Sequence, residues 1–321
     1  MNDYSPGYSH TTDPYLKQLR RRRFITGAIV LSVFLSVLVT VVLILTNIAS
    51  NHSVPRSTQQ EIINLWLAKD YQAVSAACDS SLDIVPLDPF YLIFKGFSAF
   101  YLGLSESDGE KRIIRMDEAV FAIRKALINE KPPLRAEAAY VLGKAYFHKG
   151  QDYYNEVIEY LEEAATLGYV RTDTWEYLAL AAQGAGLTDQ AIVYFDKAIL
   201  NKPGSPELIL AAATANAEAG NPERAEILAN EALASTSDEY LAERCGFLLG
   251  DLYRISGRNE EALARYDAIK LKNPQSADAW YYEGLVFLQS GDTIRARSAW
   301  RKAISIDPMH TSARLKLSER S

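Results

Sequence analysis

The C-terminal part of the sequence repeats its own pattern of residue types at an interval of 34 positions. One set comprises Gly284, Phe287, Gly291, Ala296, Trp300 and Pro308. Each member has a counterpart 34 positions earlier: Gly250, Tyr253, Gly257, Ala262, Tyr266 and Pro274. A repeat of this length indicates one supersecondary unit that is used several times, because a single short unit cannot bury its apolar face alone.

The same order of small, bulky and proline residues continues upstream. A copy near residue 172 contains Trp175, Leu178, Ala182, Gly186, Ala191, Phe195, Ala198 and Pro203. A copy near residue 206 contains Gly220, Ala225, Ala229 and Ala232. Less regular copies contain Gly143 and Gly150, then Gly96, Gly103 and Ala119, and a degenerate first copy spans residues 67–86.

This pattern resembles the tetratricopeptide repeat family, over about residues 55–310. The resemblance implies an all-α fold in which about seven helix pairs stack into a right-handed superhelical solenoid. Residues 311–321 would then form a C-terminal capping helix or tail. Within each pair, a small residue such as Gly284 lets the second helix approach the first. A glycine that ends the first helix would adopt a left-handed turn: Gly103, Gly150, Gly186, Gly220, Gly257 and Gly291.

One interval breaks the repeat. Gly103 and Ala119 are 16 positions apart, whereas the equivalent Gly291 and Ala296 are 5 apart, so about eleven residues are inserted near 104–116. The insertion is interpreted as a longer loop or an extra turn on the second helix. The alternative is a docking element for a partner, formed by residues 112–115.

The N-terminal part differs from the repeats. Residues 1–23 are predicted to be a disordered basic tail, because their first fifteen residues contain few aliphatic side chains. The segment Phe24–Leu45 carries no charge and is long enough to cross ~30 Å of hydrocarbon as a helix. It exceeds the ~7–15-residue core of a signal peptide, so a retained transmembrane helix over residues 24–48 is predicted, followed by a linker over 49–54.

Charge predicts the orientation of this helix. Lys17 and Arg20 to Arg23 precede it, and Arg56 is the one basic residue soon after it. Since positive flanks stay inside, the N-terminus is predicted to be cytoplasmic and the repeats extracytoplasmic. In a bacterium this describes a single-pass inner-membrane protein with periplasmic repeats, and the chain resembles the membrane-anchored periplasmic type of the family.

The charge balance excludes nucleic acid as a partner. The whole chain has 34 basic and 40 acidic residues, of which five and two lie within residues 1–50. The exported part therefore carries 29 basic and 38 acidic residues, a net charge of −9. An acidic domain of this kind repels phosphate backbones.

No pattern of catalytic residues is recognisable. The four histidines, His10, His52, His148 and His310, have no metal-ligand spacing, and no phosphate loop or nucleophile elbow occurs. The two cysteines, at positions 78 and 245, are predicted to be buried and unreactive. The chain is therefore predicted not to be an enzyme and to need no cofactor, metal or small-molecule substrate.

The resemblance implies that ligands lie in a concave groove lined by the first helices. The groove candidates are Phe90, Phe97, Tyr101, Tyr140, Lys144, Phe147, Leu180, Phe247, Tyr281 and Leu285. Of the positions that clamp a C-terminal carboxylate in chaperone-binding members, only Lys144 carries a suitable residue. The predicted partner is instead a peptide or helix segment with apolar anchors. About half of the aromatic candidates have an alternative interpretation as core between repeats.

These observations predict a membrane-anchored scaffold or adaptor that binds partner proteins during assembly of an envelope complex. Two alternatives remain open. One is a holdase-type chaperone for exported chains, and the other is an anchored import receptor with its repeats in the cytosol.

Overall fold

The computed structural model describes residues 56–319, which fall into two compact units, residues 56–70 and 71–319. Fifteen α-helices and one short 3₁₀ turn make up the secondary structure between residues 56 and 319, where no strand occurs. The prediction of an all-α fold is confirmed. In the first unit, helix α1 spans Arg56–Leu67, and Lys69 then adopts a left-handed conformation with φ 58°.

The second unit is a row of helices in which each helix packs on the next one in sequence. Their bounds are α2 Tyr71–Leu82, α3 Pro89–Leu104, α4 Gly109–Leu127, α5 Arg135–Lys149, α6 Tyr154–Thr166, α7 Thr174–Gly184, α8 Thr188–Asn201, α9 Pro206–Glu218, α10 Pro222–Ser235, α11 Glu239–Ile255, α12 Asn259–Lys272, α13 Ala277–Gln289, α14 Thr293–Ile306 and α15 Thr311–Ser318. The 3₁₀ turn Gln151–Tyr153 separates α5 from α6.

The helices alternate between two roles. We call α3, α5, α7, α9, α11 and α13 the first helices and α4, α6, α8, α10, α12 and α14 the second helices. First helices of neighbouring pairs also contact each other, for example α3 with α5 and α11 with α13. Stacked contacts of this kind, in which each pair touches mainly its neighbours, are the packing of a solenoid.

Side-chain caps fix where several helices begin. Asp88 accepts a hydrogen bond from the backbone N–H of Phe90 at 2.9 Å, next to a proline at the first helical position. Asp108 caps α4 in the same way, and Asp238 caps α11 at 2.7 Å. Each such cap is worth about 1 kcal/mol, because it satisfies an N–H that has no partner inside the helix.

The glycines early in the first helices are required by the packing, as predicted. A Cβ added at Gly250 would lie 2.5 Å from a ring carbon of Tyr266, and one added at Gly284 would lie 2.6 Å from Cδ1 of Trp300. Tyr266 is fully buried and Trp300 is 3% exposed. The large ring of the second helix therefore lies directly against the backbone of the first.

The glycine turns follow the prediction at five of six positions. Positive φ angles between 75° and 111° occur at Gly150, Gly186, Gly220, Gly257 and Gly291. The prediction is wrong for Gly103, which lies inside α3 and is buried. A Cβ at Gly103 would lie 2.7 Å from Cε of Met116, so close packing against α4 explains this glycine.

The insertion near 104–116 lengthens a helix. Helix α4 has 19 residues, whereas α8, α10, α12 and α14 have 14 each. Arg112 ties the new first turn to the preceding loop, since its Nη2 donates to the carbonyl oxygen of Glu106 at 2.9 Å. The insertion therefore forms an extra turn on the second helix, and the docking role of residues 112–115 stays a prediction.

No helix between residues 56 and 319 has both the length and the apolar character that crossing a bilayer requires. The predicted tail over 1–23, the transmembrane helix over 24–48 and the linker over 49–54 lie outside the described residues. The anchor, with its charge-based orientation, stays a prediction.

Candidate partner-binding groove

The ten groove candidates separate into buried and half-buried side chains. Phe90, Phe97 and Tyr140 are 3%, 5% and 8% exposed and belong to the packing between helices. The other seven are half-buried: Tyr101, Lys144, Phe147, Leu180, Phe247, Tyr281 and Leu285. The second group is partly exposed to solvent, while the first group belongs to the core.

A network centred on Asp173 joins the first helices α5 and α7. Asp173 precedes α7, and its two carboxylate oxygens accept hydrogen bonds from Tyr140 Oη at 2.6 Å and Lys144 Nζ at 2.7 Å. Lys144 is only 12% exposed in its side chain and Asp173 is 34% exposed. The ion pair fixes the position of α7 relative to α5, and it neutralises the one lysine that matched a carboxylate clamp.

Aromatic rings surround the ammonium group of Lys144. Its Nζ lies 4.7 Å from the ring centroid of Tyr177 and 5.8 Å from that of Phe100. Phe147 packs edge-on against Tyr177, with 4.8 Å between the ring centroids. These contacts hold the half-buried rings of Phe147 and Tyr177 in fixed positions before any partner binds.

The network shifts several pKa values. Burial works to raise the pKa of Asp173, but the hydrogen bonds from Lys144 and Tyr140 outweigh it and hold the pKa below its usual range. Burial, followed by the hydrogen bond to Asp173, raises the pKa of Tyr140. Burial raises the pKa of Tyr177 to about 12, with smaller contributions from Asp173 and Glu176. All three groups thus keep one charge state near neutral pH.

His148 lies beside this network at the end of α5 and is half-buried. Its ring is 6.2 Å from Tyr177 and 6.1 Å from Phe100, between centroids, and its buried Nε2 has no hydrogen-bond partner. Burial, with Lys144 and Arg112 nearby, lowers the pKa of His148. A neutral imidazole among aromatic rings makes His148 part of this apolar cluster.

A second aromatic cluster lies near the C-terminal end. The ring centroids of Phe247 and Tyr282 are 5.6 Å apart, and Tyr282 stacks on the buried Tyr266 at 5.8 Å. Tyr281 packs against His310 at 5.1 Å, and its carbonyl oxygen accepts a hydrogen bond from Trp300 Nε1 at 3.1 Å. This cluster presents half-buried rings on α11 and α13.

Small side chains separate the two clusters. Helix α9 reads "PELILAAATANAE", and its Ala211, Thr214 and Ala217 are half-buried. Short side chains at these positions leave this part of the surface shallow. The row of first helices therefore presents two aromatic clusters with a shallow segment between them.

Sequence reasoning missed Asp173, because no local motif marks it. The available signal was its distance of 33 residues from Tyr140, about one repeat length, which places the two residues at neighbouring positions of adjacent repeats. Tyr169, whose ring is 5.4 Å from that of Tyr140, was missed for the same reason. No three His, Cys, Asp or Glu side chains between residues 56 and 319 are grouped so as to hold a metal ion.

Comparison with known proteins agrees with this architecture. Residues 178–240 and 247–315 match the tetratricopeptide repeat family. The C-terminal part of a TPR repeat-containing protein from Cytophaga hutchinsonii has a TM-score of 0.55 and 14% identity, over 82% of this chain and 100% of that chain. That likeness supports the fold alone.

Two further solved structures are similar over part of the chain. MamA has a TM-score of 0.48 and 19% identity, over 58% of this chain and 98% of that chain. MamA from Desulfovibrio magneticus RS-1 has a TM-score of 0.48 and 16% identity, over 55% of this chain and 97% of that chain. No curated protein matches the sequence significantly.

The described part of the chain is a helical repeat protein. The repeated helix pairs and the family match together support the interpretation of residues 178–240 and 247–315 as tetratricopeptide repeats. Repeats of this family typically serve as non-catalytic scaffolds for protein–protein interaction.

Proposed function

We propose that this protein is a membrane-anchored scaffold or adaptor that binds partner proteins through its first helices and assists the assembly of an envelope complex. One observation carries the binding part of the proposal. The first helices present half-buried aromatic and aliphatic side chains in two clusters, at Phe147 and Tyr177 and at Phe247 and Tyr281. Rings that are already fixed by packing bind a partner with little further loss of entropy.

The geometry favours a peptide or helix segment with apolar anchors as the partner. Aromatic side chains in partly desolvated positions contribute most of the energy at protein interfaces. A free carboxylate terminus is a poor ligand here, because Lys144 is already paired with Asp173 at 2.7 Å.

Membrane attachment rests on the sequence. The uncharged segment Phe24–Leu45 and the basic cluster before it support a single helix with the N-terminus in the cytoplasm. A reporter that is active only after export, fused after Ser321, tests this orientation. Activity of the reporter supports extracytoplasmic repeats, and inactivity with a cytosolic reporter active at the same site favours the import-receptor alternative.

The groove is tested by truncating its rings in the full chain. Phe247→Ala and Tyr281→Ala preserve helix propensity, and Leu271→Ala on the second helix α12 is the matched control, since Leu271 is 85% exposed. Affinity purification from detergent-solubilised membranes, with quantitative mass spectrometry, measures the partners retained. We expect a loss of about tenfold or more for each groove variant, and no loss for the control.

Two results would contradict the proposal. Partners that co-purify equally with the groove variants and with wild type would place the binding surface elsewhere. A broad set of substoichiometric proteins, in place of a few stoichiometric ones, would favour the holdase alternative. Thermal unfolding of each variant, followed by circular dichroism, shows whether a loss of partners is caused by a loss of fold.

A further inference from the structure

An exposed apolar stripe runs along the elongated second helix α4. Ile114, Phe121 and Ile128 follow one another at intervals of seven residues and are 52%, 70% and 82% exposed. Ile128 directly follows α4 and keeps helical backbone angles, φ −64° and ψ −27°. Seven residues are close to two helical turns, with a drift of only ~20°, so the three side chains share one face.

Charged residues on this face are arranged symmetrically about Phe121, with opposite signs on its two sides. Asp117 and Glu118, the acidic pair, precede it by four and three residues. Arg124 and Lys125, the basic pair, follow it by three and four. We call these four residues together with Ile114, Phe121 and Ile128 the α4 stripe.

The acidic pair remains accessible despite contacts within the chain. Asp117 is 55% exposed and pairs with Lys149 at 2.5 Å, and Glu118 is 42% exposed and pairs with Arg115 at 2.8 Å. In the basic pair, Arg124 is exposed and donates to the hydroxyl of Tyr146 at 3.2 Å. These contacts hold Asp117, Glu118 and Arg124 in place while leaving them open to a second molecule. Lys125 is half-buried beside the ring of Phe121, with 6.0 Å between its Nζ and the ring centroid.

We propose that the α4 stripe is the interface of a homodimer in which two copies of α4 pack antiparallel about a two-fold axis at Phe121. In this arrangement Phe121 meets its own counterpart, and Ile114 of each copy lies opposite Ile128 of the other. The acidic pair of each copy faces the basic pair of the other, twice by symmetry. A parallel arrangement would bring like charges together, so the charge order itself selects the antiparallel one.

The surroundings of Phe121 leave room for such a partner. A groove of ≈ 390 Å³ lies on one side of its ring and is lined in part by Leu82 and Leu92 of α2 and α3. A larger groove of ≈ 920 Å³ lies on the other side, where Ile128 and Tyr160 line it. Side chains of a second helix can enter both grooves beside the ring, in the manner of ridges packing into grooves.

The size of the stripe sets the strength of the dimer. A helix face of about fifteen residues offers less than the ~800 Å² per partner of a standard stable interface, so the dimer is reversible. The interface uses a second helix and leaves the rings of the first helices uncovered. It is therefore independent of the proposed function, and either one can fail without the other.

Cysteine cross-linking of the full chain tests the symmetry directly. Wild type is the control for background, because Cys78 and Cys245 are buried. Phe121→Cys places a thiol on the axis and should give a cross-linked dimer with a short bis-maleimide in membranes. Ile114→Cys alone should give none, because the two thiols would be ~21 Å apart along the helices. A mixture of Ile114→Cys and Ile128→Cys chains should cross-link.

Charge reversal separates the dimer contact from the contacts inside each chain. On the Phe121→Cys background, Glu118→Lys should lower the cross-linking rate about three- to tenfold, because like charges then face each other twice. Adding Lys125→Glu should restore the rate, although it cannot restore the bond between Glu118 and Arg115. No cross-link at position 121, equal cross-linking of Ile114→Cys alone, or no recovery in the double reversal would each overturn the proposal.

Discussion

Gly284 offers the sharpest test of how the helix pairs are packed. A Cβ at this position would lie 2.6 Å from Cδ1 of Trp300, whose ring is 3% exposed and whose Nε1 donates to the carbonyl oxygen of Tyr281 at 3.1 Å. Gly284→Ala gains about 1 kcal/mol from helix propensity. Overpacking costs about 1–3 kcal/mol, and displacement of the buried hydrogen bond costs about 1 kcal/mol more. The expected net loss of stability is about 1–3 kcal/mol.

The matched control is Gly109→Ala, the same chemical change at the start of α4, where a Cβ would meet no atom within 4 Å. This variant should be as stable as wild type or slightly more stable. Urea unfolding followed by circular dichroism gives the free energies, and hydrogen exchange of α13 and α14 locates the change. If Gly284→Ala matches Gly109→Ala in stability, the close approach of Trp300 to α13 is wrong.

Three further predictions concern buried and half-buried polar groups. Asp173→Asn leaves Lys144, only 12% exposed, without its counter-charge, and hydrogen exchange should show α5 and α7 destabilised by about 1–3 kcal/mol. Because the pKa of folded Asp173 is lowered, the stability that the wild-type pair contributes is lost as the pH falls through that folded pKa. Unchanged exchange in the variant would refute the role of the pair. Burial raises the pKa of Cys78 to about 12 and also raises that of Cys245, so neither thiol should react with maleimide at pH 7 until the chain unfolds, and rapid labelling would contradict their burial. Burial lowers the pKa of His148, so as the pH falls the imidazole is protonated in the unfolded chain before it is protonated in the folded one. The free energy of unfolding should therefore decrease as the pH drops below about 6.5. His148→Gln should reduce this decrease in urea titrations, and a pH profile identical to that of wild type would exclude His148 as the cause.

The sequence was sufficient to predict the helical repeat because each repeat uses the same few residues for packing. Where an aromatic ring packs on a glycine, as Tyr266 packs on Gly250, the number of residues between the two is fixed by the packing, whichever residues occupy the remaining positions. The prolines at 203, 274 and 308 likewise fall two residues after the ends of α8, α12 and α14. Packing within one helix pair can therefore be predicted from the sequence of that pair alone.

The groove was less predictable because exposure depends on neighbouring helices. Phe100 and Phe147 each lie four residues after the small glycine of their first helix, yet Phe100 is buried and Phe147 is half-buried. Gly103 was assigned to a turn by its repeat position, but the lengthened α4 extends the contact and keeps Gly103 inside α3. The partner of Lys144 comes from the next repeat, so no local pattern indicates the pair with Asp173.

The most direct measurement of partner binding is site-specific photo-cross-linking in intact membranes. A photoreactive amino acid is placed in the full chain at Tyr177 or Tyr281 on the first helices, or at Leu271 on a second helix. We predict discrete cross-linked partners from positions 177 and 281 and none of these from position 271. Equal cross-linking from position 271, or none from the two groove positions, would contradict binding by the first helices.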